Sequence, residues 1–568
     1  MNFQDLPYLP AGEYSKRVAY FSMEFAIDQC LKIYGGGLGF LSGSHMRSAY
    51  ELKQNLIGIG ILWKYGYYDQ NRNSDQTLRV DFIEKNYTFL EDTGIVIDVH
   101  IFDNPHVKVK VYKLNPETFQ TVPVYLLSTD IPENDYLSRT ITYRLYDDNE
   151  LTRVAQSIVL GQGGAKLVEL LGGADVYHLN EGHALPAFTY LYGKATNKEA
   201  IRAKFVFTTH TPEKAGNEEH SLDLLKKINF FPGWTDDEIE KITHQTPGVV
   251  NYTLAALRLA KKANAVSKLH GIVARQMWEG FEGICEIDHI TNAQSLTYWG
   301  DAPIQAALAN KDYEAIVSRK KELKNELFRV VADQTGKLFD PDVITIVWAR
   351  RFAAYKRPDL LFWNLDRFMA LLENKKYPVQ IIWAGKPYPT DYRAIDIFNQ
   401  IVYLTRHLPN ACILTGYELE LSRILKNGTD VWLNTPRKLR EASGTSGMTA
   451  AMNGAVNFSI NDGWMVEFGQ HRKNCYLIPD TTAPGIVDIQ DREDFENLYK
   501  VLEEELLPDF YEGKGQWKEV MMNSMTDVLK YFISDRMADE YYKKLYHFNP
   551  EKDLNQDSSK KKKTRRAT

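Results

Sequence analysis

The stretch VITIVWARRFAAYKRPDLL, residues 343–361, decides how the second half of the chain folds. Its first seven residues are apolar or β-branched, as in a buried strand, and the polar run after them indicates a loop. Similar runs recur at about 30-residue spacing with helix-like stretches between them, a pattern that predicts βαβ units and a parallel sheet. The other predicted strands cover residues 379–385, 411–416 and 430–436, and the predicted helices cover residues 357–374, 391–407 and 418–426.

The first half repeats this alternation less regularly. The segments RVAYFSMEF, ADVYHLNEG, FVFTTH and ANAVSKLHG each resemble an apolar strand that ends in a polar loop. Ligands of open parallel sheets bind beyond the carboxyl ends of the strands. We therefore expect an α/β protein of two doubly wound halves with a cleft between them. Polar residues gather at the expected strand ends: Glu24, His183, His210, Lys268, His270, Arg350, Arg351, Lys356 and Lys386.

Length and composition restrict the class of protein. A chain of 568 residues suggests two or more domains. Its net charge of −6 provides no general basic field for nucleic acid. The sequence contains no run of 18 apolar residues, so it predicts no membrane span. The N-terminal segment lacks the apolar centre of a secretory signal, and the four cysteines have no metal-ligand spacing. We expect a cytoplasmic protein without a metal, and a disordered basic tail over residues 549–568.

Two segments before residue 400 could bind an anion. In the opening stretch, Arg350, Arg351, Lys356 and Arg357 fall within eight residues at a strand-to-helix junction, which favours phosphate or pyrophosphate over a solvated surface cluster. The loop IYGGGLGFLSG, residues 33–43, could present successive backbone N–H groups to a phosphate. A plain structural turn explains that loop equally well, since it lacks the lysine of a P-loop.

A third segment, REASGTSGMTAAMNGAVNFSINDGWMVEF, covers residues 440–468. Small residues from Ser443 to Gly447 precede a helix-forming run that reaches Met452. Free N–H groups in the first turn of a helix favour an anion, so the sequence predicts a third anion-receptive loop here.

Taken in order, the motifs resemble the α-glucan phosphorylases, the family of glycogen, starch and maltodextrin phosphorylases. The resemblance covers roughly residues 17–546 and implies two Rossmann-like domains facing a cleft, the GT-B glycosyltransferase fold. We place these domains at residues 1–290, for glucan, and 291–548, for cofactor and phosphate. The motifs are FSMEF, YGGGLGFLSG, KYGYYDQ, HLNEGHA, FTTHTPE, ITNAQ, WARRFAAYKRP, AGKPYP, EASGTSGM and NDGWMVEF.

The resemblance also implies roles for individual residues. Arg351 and Lys356 match the pair that binds substrate phosphate and cofactor phosphate, and His210 matches a histidine whose backbone carbonyl lies beside the sugar. Glu441 matches a glutamate that contacts sugar hydroxyls. The remaining matches are Gly36 and Gly37 near the cofactor phosphate, Tyr417 near the cofactor, Ser443, Gly444 and Thr445 around the sugar and cofactor, Arg350 at a usually basic position, and Glu24 at an acidic position close to it.

One position departs from the family pattern. Thr449 stands where the family has the lysine that forms a Schiff base with pyridoxal phosphate, and no lysine lies between Lys438 and Lys473. Because threonine has no amine, we expect no Schiff base in this protein and no pyridoxal adduct that borohydride could trap on any lysine. Either pyridoxal phosphate binds noncovalently, or the pocket holds something else, such as a nucleotide diphosphate, or nothing.

Three functions remain open at this point. The first is retaining phosphorolysis of an α-1,4-glucan to glucose 1-phosphate. The second is a cofactor-free retaining glucosyltransferase that uses a nucleotide sugar. The third is a catalytically silent glucan-binding relative. The resemblance implies glucan and phosphate as partners and a possible homodimer.

Overall fold

The computed structural model describes residues 6–483, 485–513 and 515–548, and it has an α/β fold built on two large, mainly parallel sheets. The strands of the first half are β1 Val18–Phe21, β2 Leu56–Ile61, β3 Asp69–Arg72, β4 Leu78–Asp81, β5 Glu91–Ile101, β6 Asn104–Leu114, β7 Val124–Ser128, β8 Val176–Asn180, β9 Phe205–Thr208, β10 Glu219–Ser221, β11 Val249–Asn251, β12 Lys262–Ala265 and β13 Ile287–His289. Those of the second half are β14 Ile344–Ala349, β15 Val379–Ala384, β16 Ala411–Leu414, β17 Val431–Asn434, β18 Val456–Ile460 and β19 Cys475–Ile478.

The six strands of the second half form one parallel sheet in the order β16-β15-β14-β17-β18-β19. Counted along the chain this order is 3-2-1-4-5-6, that of a Rossmann sheet. Every residue of β14 and β15 is buried, as expected of strands covered on both faces. The four strands predicted in this half are confirmed. The order reverses between β14 and β17, so the loops after these two strands flank the crevice where such sheets bind ligands.

The nine-stranded sheet of the first half has the order β13-β12-β9-β8-β1-β2-β7-β6-β5. Its strands from β13 to β7 pair in parallel, and β6 and β5 add a long antiparallel hairpin at one edge. Here the order reverses between β1 and β8, so the loops after these strands flank a second crevice. The four predicted strands of this half are confirmed, whereas the hairpin was not predicted.

Helices connect and cover the strands. They are α1 Gly37–Glu51, α2 Pro116–Phe119, α3 Tyr136–Thr140, α4 Glu150–Ile158, α5 Gly164–Leu170, α6 Leu185–Lys194, α7 Lys198–Arg202, α8 Leu222–Lys227, α9 Asp236–Thr243, α10 Tyr252–Leu259, α11 Lys268–Met277, α12 Leu296–Trp299, α13 Ala302–Ala309, α14 Tyr313–Thr335, α15 Leu365–Leu372, α16 Tyr392–Thr405, α17 Leu419–Gly428, α18 Ser446–Met452, α19 Met465–Phe468, α20 Val487–Val501, α21 Leu507–Tyr511, α22 Gln516–Tyr531 and α23 Ser534–Tyr541.

The helix predicted over residues 357–374 is the clearest difference from expectation. Arg357 has φ 48°, in the left-handed region, so a helix cannot start there. Its guanidinium is buried and paired with Asp491 and Asp494 of α20, which fixes this conformation. A short 3₁₀ turn, Leu360–Phe362, follows, and α15 begins only after Asn364, whose side chain accepts a hydrogen bond from the Arg367 N–H as an N-cap.

The apolar core has separate clusters for the two sheets and one that joins the halves. The joining cluster brings Phe40 of α1 and Trp299 of α12 together with Met448 and Met452 of α18. The segment from α23 to Tyr546 returns to the core of the first sheet, where Met537, Tyr541, Tyr542, Leu545 and Tyr546 are buried. This return was not indicated by the sequence.

The division at residues 290 and 291 stays a prediction, and the proposed tail at 549–568 lies outside the described residues. Within the described ranges, no helix is both long enough and apolar enough to cross a membrane.

Candidate active site

A pocket of about 720 Å³ collects loops that follow strands of both sheets. It lies beside both points of strand-order reversal, because Glu24 follows β1, Glu181 follows β8, Arg351 follows β14 and Glu441 follows β17. The predicted site residues that line it are Gly36, Gly37, His210, Arg351, Lys356, Tyr417, Glu441, Ser443, Gly444 and Thr445. Thr449 is not part of this lining, and neither are Lys268 and His270.

Glu441 is the centre of a buried charge cluster. Its Oε2 lies 2.8 Å from Nζ of Lys356 and 3.2 Å from Nη1 of Arg350. Arg350 also donates to the side chains of Asn434 and Ser446. Burial alone would raise the pKa of the Glu441 carboxyl, but Lys356 and Arg350 outweigh burial and hold that pKa below its usual value. Glu441 is therefore ionised and compensates only part of the positive charge here.

Arg351 supplies a cation that is open to ligand. Its side chain is exposed to the pocket, among the rings of Tyr67, Tyr146 and Tyr355. No carboxylate within the described part of the chain forms a salt bridge with it. An arginine in such surroundings favours a phosphate or another oxyanion, because its planar guanidinium can donate two parallel hydrogen bonds.

Glu24 occupies part of the glycine loop that was expected to present backbone N–H groups to a phosphate. Its Oε2 accepts hydrogen bonds from the backbone N–H of Gly35 at 2.6 Å and of Gly36 at 2.9 Å. Its Oε1 accepts one from the Tyr146 hydroxyl at 2.7 Å. These two N–H groups are thus already used by a carboxylate of the protein. Gly37 begins α1 and lines the pocket, and its N–H has no hydrogen-bond acceptor among the described residues.

The segment from Glu441 to α18 brings backbone close to the pocket and then leaves it. Gly444 adopts φ 90°, a conformation that side chains rarely permit. Thr445 and Ser446 reach the pocket at the start of α18, where the first N–H groups have no partner within the helix. Thr449 lies one turn further on and is only 1% exposed, and its Oγ1 donates to the Ser446 carbonyl at 3.0 Å. Position 449 therefore lies inside the protein rather than on the pocket surface.

His210 is held as a neutral imidazole. Its Nε2 lies 2.7 Å from Oδ1 of Asn180, and its backbone N–H donates to Glu181 at 2.8 Å. Burial, with smaller effects from His270 and His183, lowers the pKa of His210 to about 3. The Asn180 amide group donates to Ser22 and Ser42, so its Oδ1 is the acceptor and Nε2 of His210 carries the proton.

Tyr417 closes the wall of the pocket beside Arg350. Its hydroxyl donates to the Ala349 carbonyl at 3.3 Å, and burial raises its pKa, so the phenol is neutral. Lys386, one of the polar residues expected at the strand ends, is paired with Glu418 at 2.9 Å and donates to the Tyr68 carbonyl.

Several lining residues were not assigned a role from the sequence. Glu181 has φ 70°, a strained conformation that tends to be kept at functional sites, and burial raises the pKa of its carboxyl. Glu218 pairs with Arg153 at 3.2 Å on the same side of the pocket. His183 lies beside them. The position of Glu181 directly after β8 was the available signal, whereas Arg153 on α4 gave none.

Asp462 supports the pocket from behind. It accepts hydrogen bonds from the backbone N–H groups of Glu441 at 3.0 Å and Gly463 at 2.9 Å. Burial raises the pKa of its carboxyl to about 7, even though these two N–H groups favour the ionised form. The orientation of Glu441 thus depends on a carboxyl that titrates near neutrality.

Comparisons with known proteins establish the family. A family model described as Carbohydrate phosphorylase matches residues 241–479. Maltodextrin phosphorylase of Thermococcus litoralis is 32% identical over 94% of this chain and 71% of its own. Glycogen phosphorylase of Aquifex aeolicus is 30% identical over 94% of this chain and 86% of its own. An uncharacterized protein of Methanocaldococcus jannaschii is 47% identical over 94% of this chain and 100% of its own. The chain belongs to the α-glucan phosphorylase family, so the resemblance stated from its motifs is confirmed.

Proposed function

We propose that this protein transfers glucosyl units as an α-glucan phosphorylase does, converting an α-1,4-glucan and phosphate to glucose 1-phosphate with retained configuration. The observation that carries the proposal is Arg351, a cation with no carboxylate partner among the described residues, beside the Arg350–Glu441–Lys356 cluster in one pocket. An anion that binds there would lie within reach of both groups. Substrate phosphate is the anion that the reaction requires.

The other side of the pocket suits an uncharged sugar. In the proposed roles, Glu441, Ser443 and Gly444 contact sugar hydroxyls and the His210 carbonyl faces the ring. Glu181 and Glu218 add acceptors for hydroxyl groups on the same side as His210. A glucan would then extend from the cations toward these carboxylates. This assignment accords with a GT-B arrangement of two Rossmann-like domains, at residues 1–290 and 291–548, around the pocket.

Pyridoxal phosphate fits part of the site. When bound, it would supply a phosphate that exchanges a proton with the substrate phosphate. The cations Arg350 and Lys356 form a donor set suited to that phosphate, together with the N–H groups of Ser446 and Gly447, which have no acceptor in the described part of the chain. Thr449 offers no amine to its aldehyde, so the phosphate contacts hold the cofactor unless another amine reaches it. A homodimer remains a prediction.

A second candidate is a retaining transferase that takes glucose from a nucleotide sugar. Thr449 favours it, because a site that needs no pyridoxal phosphate needs no lysine there. Arg351 and Lys356 would then hold the leaving diphosphate. The same cations serve both reactions, so the co-substrate has to be found by assay. A silent glucan-binding relative would show neither activity.

Glucose 1-phosphate release from maltodextrin and phosphate tests the proposal, with and without added pyridoxal phosphate. The wild-type protein should release it, and phosphate should bind Arg351→Ala about 10- to 150-fold more weakly, the equivalent of about 1.5–3 kcal/mol for a charge-assisted contact. Arg393→Ala is the matched control, because Arg393 is exposed on α16 away from the pocket. No release by wild type in either condition would exclude phosphorolysis, and unchanged phosphate binding in Arg351→Ala would refute the role of Arg351.

A further inference from the structure

Lys426 of α17 is a buried lysine whose surroundings contain no counter-charge. Its side chain is 1% exposed, and its Nζ lies 3.8 Å from the ring centroid of Trp299 and 5.4 Å from that of Phe40. Across the described ranges, no carboxylate and no hydrogen-bond acceptor is paired with this amine. Burial lowers the pKa of Lys426 well below its usual value. A lowered pKa favours the neutral amine, whose free lone pair makes a lysine nucleophilic.

The other buried lysines nearby are all engaged. Lys320 donates to the carbonyls of Asn427, Thr429 and Asn453, at 2.6, 2.6 and 3.1 Å. Lys386 is paired with Glu418. Packing alone would be served better by an apolar side chain at 426, since a buried amine without a partner costs stability. Lys426 is thus unusual even among the buried lysines of this protein.

The fold packs α17 against α18, so Lys426 and Thr449 lie on neighbouring helices although 22 residues separate them. Nδ2 of Asn453 donates to the Trp299 carbonyl at 2.8 Å and also to the Thr449 carbonyl at 2.8 Å. One amide group therefore links the ring that lies under Lys426 to the residue at the family's lysine position. Phe40 and Trp299 pack in the same cluster as Met448 and Met452, the residues around Thr449 on α18.

Phe40 connects the surroundings of Lys426 with the candidate active site. Phe40, which contacts the Lys426 amine, also lines the candidate active site. Lys426 is not itself part of the pocket lining, so its amine enters the pocket only if its flexible four-carbon side chain rotates past Phe40. The phosphate donors of Arg350, Lys356 and the start of α18 lie in that same pocket.

We propose that Lys426 is a carbonyl-binding residue that forms an imine with a phosphorylated aromatic aldehyde held in the candidate active site. The Nζ lone pair attacks the aldehyde carbon and forms a C–N bond. The carbonyl oxygen then leaves as water with the two amine protons, and a C=N bond remains. No oxidant or reductant is needed. This proposal rests on the proposed function in one respect: the same donors, Arg350, Lys356 and the start of α18, bind the phosphate of the aldehyde.

Reductive trapping tests this directly. The full-length protein is incubated with pyridoxal 5′-phosphate, reduced with borohydride, digested and mapped by mass spectrometry. In contrast to the expectation from the sequence, a saturable phosphopyridoxyl group should appear on Lys426. Half-maximal labelling should need at least about tenfold less pyridoxal 5′-phosphate than pyridoxal, because the phosphate contributes one or more charge-assisted hydrogen bonds. Lys320 is an internal control, being buried with a pKa lowered to about 7 but donating to three carbonyls, and it should stay unlabelled.

Lys426→Met provides the matched variant, because methionine suits the aromatic surroundings and should leave the fold intact. Its peptide map should lack the label, and a thermal melt would check its folding. Labelling confined to exposed lysines in the wild type, or equal labelling by pyridoxal, would overturn the proposal without any need for the variant. Because trapping requires no glucan, it can succeed when phosphorolysis fails, so the two proposals fail separately.

Discussion

At the scale of single residues, the charges around the pocket depend on one another. The Glu441 carboxylate compensates part of the positive charge of Arg350 and Lys356, and Asp462 accepts a hydrogen bond from the Glu441 backbone N–H. The cations and the loop from Glu441 to Ser446 could be placed at a site from the sequence, since each follows a recognisable strand. The capture of Gly35 and Gly36 by Glu24, and the neighbourhood of Lys426 and Thr449, could not. Both depend on contacts between segments that only the fold brings together.

The pKa of Asp462 predicts how stability changes with pH. In the folded state this pKa is about 7, against about 3.9 for an unfolded aspartate. The folded protein binds this proton more tightly, so the contribution of Asp462 to stability is fully present below about pH 4 and is lost as pH rises to about 7. Asp462→Asn keeps an acceptor for only one of the two N–H groups, a loss that does not vary with pH, and it cannot ionise. Relative to wild type, its free energy of unfolding should rise by on the order of 1 kcal/mol per pH unit across this window.

Urea unfolding at several pH values between about 4.5 and 7.5 measures that difference. Asp396→Asn, an exposed position on α16, is the control and should follow wild type. A difference between Asp462→Asn and wild type that does not vary with pH would contradict the assignment.

Thr449→Lys tests what the pocket binds. The variant returns an amine to the family's position on α18, and lysine is well tolerated inside helices. If the protein is a phosphorylase, glucose 1-phosphate release should rise at low pyridoxal phosphate. If the pocket takes a nucleotide sugar, transfer from that donor should fall and no phosphorolysis should appear. Thr449→Met adds similar length without an amine, so an equal response of both variants would show that only packing had changed.

At the scale of elements, α18 joins the pocket to the core, and its start tolerates little extra volume. A Cβ atom at Gly447 would lie 2.4 Å from Oδ1 of Asn457, a buried side chain that also donates to the Gly447 carbonyl. Gly447→Ala should therefore lower the free energy of unfolding by about 1–3 kcal/mol, as overpacking does.

Gly36→Ala is the matched control, since a Cβ atom there meets nothing within 4 Å and its φ of −170° suits any residue. Thermal or urea unfolding of both variants decides the matter. Equal free energies of unfolding for the two variants would mean that α18 moves to accommodate the added methyl group without loss of stability, which would contradict close packing at its start.

The elements themselves were predicted well where periodicity was strong. The strands around β14 to β17 and the helices α16, α17 and α18 lie within a few residues of expectation. The error after β14 has a tertiary cause, because the pairing of Arg357 with Asp491 and Asp494 overrides the local helix preference. The β5–β6 hairpin was missed because its strands are half exposed and carry many charged residues.

At the scale of the whole molecule, the segment after α22 closes the first core. Tyr546 is fully buried, and its hydroxyl lies 2.8 Å from Nδ1 of His178 on the central part of the nine-stranded sheet. Tyr546→Ala would leave a cavity and take away the partner of Nδ1 of the buried His178, and it should cost about 3–5 kcal/mol, as large aromatic truncations do. Tyr392→Ala, at a 73% exposed position, is the control for urea unfolding. A loss below about 1 kcal/mol would mean that this segment is dispensable.

The late position of this segment in the sequence also affects how the chain folds during translation. His289 ends β13 and Ser534 begins α23, so roughly 240 residues emerge from the ribosome between the first sheet and the segment that completes its core. At about 5–20 residues per second, that interval lasts tens of seconds at the slower rates. During this time the groove that later receives Tyr541 and Tyr546 lies open to water, so a nascent chain of this protein would offer chaperones an apolar surface until residues 534–546 have been made.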